Sequence, residues 1–139
     1  MTAPTSSRFD EAIARYQAGA PPEELIDDFL AITVQSPRLS AGWTCLAWLQ
    51  LLLDQPRAAL QSARMAVRLN PQDPQARLNL SVAMLETGQK GVREHIDLVR
   101  RLMSLAPELA ADLNDSMADG LQRRPGWQAL AKVQSWLQI

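Results

Sequence analysis

The amino-acid sequence predicts an all-α protein in which helical hairpins stack into a solenoid, and three observations support this class. Proline and glycine divide the 139-residue chain into short segments in which apolar residues recur at helical spacing. No segment alternates apolar and polar residues over a useful length, as a strand would. The sequence also partly repeats itself every 34 residues, as where Pro37 recurs as Pro71 and Phe9 as Trp43. A period of this length indicates units that bury their apolar faces against one another.

The helix boundaries follow from capping and turn residues. We expect Ser7 to cap the first helix and Gly19 to end it. Asp73 is expected to cap the fifth helix, with Pro74 as its first residue, because proline suits a first helical turn. The other helices are expected to begin at or just after six further proline, serine or glycine residues. These are Pro22, Ser40, Pro56, Gly91, Pro107 and Pro125. The short loops between them favour antiparallel neighbours.

Aligned at this period, the chain consists of units 6–39, 40–73 and 74–109, followed by a C-terminal hairpin, 107–139, without the repeat pattern. We expect a single domain over residues 6–139 and a disordered N-terminus over residues 1–5. The terminal hairpin is interpreted as a degenerate fourth unit or a cap, which a stack needs in order to cover its apolar end.

The residues that recur in these units form a recognisable pattern. The second unit carries an aromatic residue, a leucine, small residues and a final proline: Trp43, Leu46, Ala47, Ala59, Ala66 and Pro71. The first unit carries aromatic residues and a proline in register: Phe9, Tyr16, Phe29 and Pro37. This pattern resembles the tetratricopeptide repeat (TPR). The third unit departs from it, because Arg77 stands where the second unit has Trp43.

The resemblance implies a right-handed solenoid whose first helix in each unit lines a concave groove that binds a protein or peptide partner. By register, the residues expected in the groove are Asp10, Thr44, Trp48, Leu52, Leu78, Asn79, Val82 and Glu86. Trp48 and Leu52 make the apolar stripe of their helix wider than a hairpin needs, which is typical of an interaction site. The alternative is that Trp48 packs in the core on a neighbouring unit.

Two kinds of occupant remain open for this groove. Some TPR proteins grip a C-terminal carboxylate with cationic side chains, but Asp10 stands at one such position here and would repel it. An apolar helix or peptide with a basic residue fits better. The alternative is a self-associating structural subunit, a homo-oligomer in which the C-terminal helix of one copy, ending in Trp136, occupies the groove of another.

Composition narrows the function classes. The formal net charge is −1, so no global field recruits nucleic acid, although residues 38–103 carry nine basic and five acidic residues. We interpret the arginines on the fourth and sixth helices mainly as solvated surface. If they bind a partner, an acidic protein is favoured over RNA, since stacking aromatic residues are missing there. The only cysteine and the only histidine, Cys45 and His95, lie on different helices. We therefore expect no enzyme activity, no metal and no cofactor. The lack of a leader or a long apolar run predicts a cytoplasmic protein without a membrane span.

Overall fold

The computed structural model describes residues 5–138, and within this range every regular element is an α-helix, which confirms the predicted all-α class. The helices are α1 (Thr5–Gln17), α2 (Pro22–Gln35), α3 (Ser40–Leu52), α4 (Pro56–Leu69), α5 (Pro74–Glu86), α6 (Val92–Leu105), α7 (Pro107–Arg123) and α8 (Gln128–Leu137). Residues 1–4 of the expected disordered terminus lie outside the described residues. Thr5 begins α1, so Ser7 lies within the helix, and the prediction that it caps α1 is wrong.

Each helix from α1 to α6 packs on the next one along the chain, and α3 also packs on α5. Three successive hairpins therefore stack as the 34-residue period predicts. The alanines at these contacts are fully buried, for example Ala47, Ala59 and Ala63. Because their side chains are small, the helix axes approach closely and larger neighbours fill the remaining space.

The predicted turn chemistry is present at most helix ends. The Asp73 carboxylate accepts a hydrogen bond from the Gln75 backbone N–H at 3.0 Å and caps α5. Gly19 adopts a φ of +98°, a left-handed conformation that suits glycine after a helix end. The expected start of the last helix at Pro125 is wrong, since α8 begins at Gln128. Gly126, with φ of +77°, turns the chain between them.

Although the third unit departs from the repeat pattern, it keeps a hydrogen bond that the second unit also forms. The Trp43 indole N–H donates to the Pro37 carbonyl at 2.8 Å. One period later, the Arg77 Nε–H donates to the Pro71 carbonyl at 3.0 Å. Arginine therefore supplies the same donor at the same place, and its long side chain also reaches the next helix. There its Nη1 lies 2.8 Å from Nδ1 of His95, which accepts, because a guanidinium can only donate.

The C-terminal hairpin completes the core. α8 packs on α5 and α6, and its residues Leu130, Val133 and Leu137 are buried. α7 packs on α6 and α8, and several of its side chains reach α1 and α3. The hairpin thus packs against the third repeat and also reaches helices of the first two repeats.

Burial and the Arg77 charge both lower the pKa of His95 below its usual 6.5. We expect Arg77→Met to raise this pKa, because a nearby cation disfavours the imidazolium. Glu94→Gln should lower it further, since the Glu94 carboxylate acts in the opposite direction. An NMR titration of the single histidine measures this pKa in the natural protein and in both variants. Since the unfolded chain takes up this proton at higher pH than the folded one, the contribution to stability is lost as pH falls below about 6.5. Equal midpoints in the three proteins would contradict the assigned contact.

Candidate functional site

A cavity of about 440 Å³ lies between the concave wall of the stack and α7. The wall contributes mostly apolar residues from α1, α2 and α3, with one polar residue from α5, whereas α7 contributes mostly charged ones. The lining residues are Ile13, Tyr16, Gln17, Phe29, Thr44, Cys45, Trp48, Leu49, Gln75, Asp112, Asp115, Ser116, Asp119 and Arg123. Its volume falls in the range of ligand pockets, and an apolar surface with a few polar groups is typical of them.

The distance between α7 and the wall depends on the glycine at position 120. A Cβ at Gly120 would lie 2.7 Å from two ring atoms of Trp48 and 2.8 Å from a methyl of Leu130. Only a residue without a side chain permits this approach. On the same helix, Leu113 and Met117 are buried, so this face of α7 belongs to the core. Trp48 is consequently only 7% exposed, with its ring 5.5 Å from that of Trp127.

Tyr16 connects three helices through its hydroxyl group. The hydroxyl accepts from the Trp48 indole N–H at 2.8 Å and donates to the Asp119 carboxylate. Burial, followed by the hydrogen bond to Asp119, raises the pKa of Tyr16, so the phenol stays protonated and continues to donate. The chain of polar contacts therefore ties α1 and α3 to α7 at one end of the cavity.

Two successive arginines at the end of α7 bind the C-terminal ends of the concave helices. Arg123 donates to the Tyr16 carbonyl at 2.7 Å and the Ala20 carbonyl at 3.0 Å, and its guanidinium lies 3.8 Å from the centre of the Tyr16 ring. Arg124 donates to the Leu51 carbonyl at 2.8 Å. Carbonyls in the last turn of a helix carry partial negative charge, so a guanidinium near them is favourable.

Glu86, at the end of α5, accepts further hydrogen bonds from the C-terminal hairpin. Its carboxylate accepts from the Trp127 indole N–H at 2.7 Å and from Arg124 at 3.3 Å. Asp119, Arg123, Arg124 and Trp127, which we call the clasp, therefore hold the ends of α1, α3 and α5 together. The contacts fix one end of α7 to the stack.

Only two of the eight residues expected in the groove line the cavity. Thr44 and Trp48 line the cavity. Leu78, Asn79 and Val82 are fully buried behind it, and the Asn79 amide donates to the Thr44 carbonyl at 2.9 Å.

The remaining three of the eight lie outside the cavity lining. Leu52 is partly buried and packs on core residues of both the first repeat and the later helices, and Glu86 binds the clasp. Asp10 is exposed on α1. Its spacing from Ile13 and Gln17 places it on the same helix face as these lining residues.

Sequence reasoning missed the contribution of α7. Its acidic residues Glu108, Asp112, Asp115 and Asp119 recur at intervals of four, three and four positions, which is the spacing of a single helix face. That signal was present in the sequence. The register of the repeats did not extend to this hairpin, however, so nothing indicated that the face would oppose α3.

Cys45 and His95 do not form a catalytic pair. Cys45 faces the cavity, whereas His95 binds Arg77 on the α5–α6 hairpin. Burial and then the charge of Asp73 raise the pKa of Cys45 to about 12, so the thiol is neutral at physiological pH and a poor nucleophile. Within residues 5–138, no three histidine, cysteine or acidic side chains come together as a metal site would need. No helix in this range is both long and apolar enough to cross a bilayer.

The fold is similar to that of a solved protein. The crystal structure of the type III secretion translocator chaperone SycD from Yersinia enterocolitica, in an alternative dimer, superposes with a TM-score of 0.67. The match covers 85% of this chain and 89% of SycD at 18% sequence identity, which shows a shared fold. No family model matches the sequence, and no curated protein does.

Gly120→Ala should destabilise the protein by about 1–3 kcal/mol, because the added methyl overlaps the Trp48 ring. An exposed helix would instead gain stability from this change. In a Trp48→Ala background the same substitution should cost less, and urea unfolding of the four proteins gives the coupling. Additive effects would show that α7 does not press against Trp48.

Arg124→Met should lower the free energy of unfolding by about 1–2 kcal/mol, since it removes the bonds to Leu51 and Glu86. Arg101→Met is the matched control, because Arg101 is exposed and forms no ion pair with any residue from 5 to 138. Hydrogen exchange should also quicken in α7 and α8 of the first variant alone. The same stability in both variants would argue against the clasp.

Proposed function

We propose that this protein is a non-catalytic protein-binding module, a chaperone, adaptor or assembly factor, that binds a peptide or helix of a partner. The partner segment would enter the cavity between the concave wall and α7. The observation that carries the proposal is the cavity itself, an apolar hollow of about 440 Å³ on the inner side of a helical repeat stack. Stacked helical repeats use such concave surfaces for binding.

The fold similarity supports this class of function. SycD, which has a similar fold, is a translocator chaperone. The role of SycD applies to this chain only by analogy of fold, and the cavity is the main support for the proposed function. The neutral thiol of the half-buried Cys45 and the separate position of His95 are consistent with binding rather than chemistry.

The residues that would contact the partner are fewer than the register predicted. Of those eight, we propose that Thr44 and Trp48 touch it, because they line the cavity. Leu78, Asn79 and Val82 would support the wall from behind. This division assigns affinity to the lining residues and stability to the residues behind them.

The alternative of self-capture meets a physical obstacle. Leu130, Val133 and Leu137, the apolar residues that the C-terminal helix would offer another copy, are buried in their own chain. Exchange would have to expose them first. Trp136, 41% exposed, remains available to a second copy, and loss of a dimer on Trp136→Ala in sedimentation equilibrium would favour self-association.

A variant that fills the cavity tests the proposal. Ser116 lies in the lining on α7, so Ser116→Phe should occupy the hollow and leave the helices intact. Peptides selected from a random display library on the natural protein should bind this variant about tenfold more weakly, or worse, which corresponds to about 1.4 kcal/mol. Ser135→Phe, on an exposed position of α8, is the control. Equal binding to both variants would overturn the cavity as the binding site.

A further inference from the structure

We propose that the cavity selects a partner segment in which a lysine or arginine lies beside apolar residues. This inference rests on the proposed function and specifies the chemistry of the partner at that site. The occupant is a cationic peptide segment of another protein, held with its apolar side chain on the wall and its cation on α7.

The two sides of the cavity differ in chemistry. Ile13, Phe29 and Leu49 make the wall apolar and offer nothing to a charged group. Opposite them, Asp112 and Asp115 on α7 line the cavity and are exposed, with no ion pair recorded within residues 5–138. The hollow therefore presents an apolar surface for one side chain and two unpaired carboxylates for the next.

Within the described range, 5–138, no cation forms an ion pair with these carboxylates. The only basic residue in the lining is Arg123, and it is engaged with Asp119 at 3.0 Å and with the carbonyls at the end of α1. The helix dipole does not account for the acidic face either, since only Glu108 lies in the first turn of α7.

Acidic groups approach the cavity from other helices as well. Asp10 lies on the α1 face that carries Ile13 and Gln17. Asp73, which caps α5, accepts from the backbone N–H of the lining residue Gln75 at 3.0 Å, so its negative charge lies near the lining. Carboxylates thus approach from three elements, and charge complementarity calls for a cation on the incoming segment.

The proposed site also agrees with the expectation that the groove does not bind a C-terminal carboxylate. A partner that ended in its own C-terminal carboxylate would meet Asp112 and Asp115 instead of a cation and would be repelled. An internal segment with a basic residue meets the opposite situation. The same two residues therefore attract one class of peptide and exclude another.

The test begins with peptides from a random display library selected on the natural protein. The best peptide with a lysine or arginine next to an apolar residue is synthesised with that residue unchanged and as its neutral citrulline or norleucine analogue. At low salt, the neutral analogue should bind about fivefold more weakly, as expected for two partly exposed ion pairs. The double variant Asp112→Asn/Asp115→Asn should lose the same factor for the cationic peptide and almost nothing for its analogue.

Matched variants separate the possible outcomes. Asp27→Asn/Asp97→Asn removes the same charge from exposed positions on α2 and α6 and should leave affinity unchanged. If selected peptides lack basic residues, or if both analogues bind equally while Ser116→Phe still blocks them, the charge preference is overturned and the binding function stands.

Two further results would overturn the proposed function itself or the assignment of the partner to another protein. If Ser116→Phe blocks no selected peptide, the proposed function fails with it. If sedimentation equilibrium shows an oligomer that only Asp112→Asn/Asp115→Asn dissociates, the occupant is a second copy of this chain, and the assignment to another protein is wrong.

Discussion

Trp48 and Gly120 meet where α7 crosses the concave wall, and the rest of the site depends on that contact. Because position 120 has no side chain, the helix comes close enough to cover the indole, which is 7% exposed. The indole N–H then reaches Tyr16, whose hydroxyl group reaches Asp119. One close packing contact therefore sets the distance between the two sides of the cavity and aligns a polar chain across three helices.

The clasp gives the same hairpin a second attachment. Arg123 and Arg124 donate to backbone carbonyls at the C-terminal ends of α1 and α3, and Glu86 connects α5 to the same hairpin. A solenoid held only by contacts between neighbouring repeats can open along its axis. Here contacts separated by more than 70 residues in sequence, such as Arg124 to Leu51, join the ends of non-adjacent units. These contacts oppose separation of α1, α3 and α5.

The repeat pattern predicted the helical hairpins well because each signal is local. Proline, glycine and capping residues act within one turn, and the stripe of small residues is read along one helix. The structure explains the main exception to the pattern, since Arg77 donates to the Pro71 carbonyl the hydrogen bond that Trp43 donates to the Pro37 carbonyl. Where a single residue was overvalued, as with Pro125, the helix began three residues later because Gly126 turns the chain first.

The sequence by itself determined the all-helical class, the stacking period and the presence of an apolar inner face around Trp48. It did not determine what covers that face, because the last hairpin lies outside the repeat register and its position depends on contacts with residues up to 107 positions away. Only the tertiary structure decided that Leu78 and Val82 lie behind the wall, that Thr44 and Trp48 border the hollow, and that Asp112 and Asp115 face it. The physical reason is that burial depends on which distant surfaces meet, whereas helix formation depends mainly on neighbours in the chain.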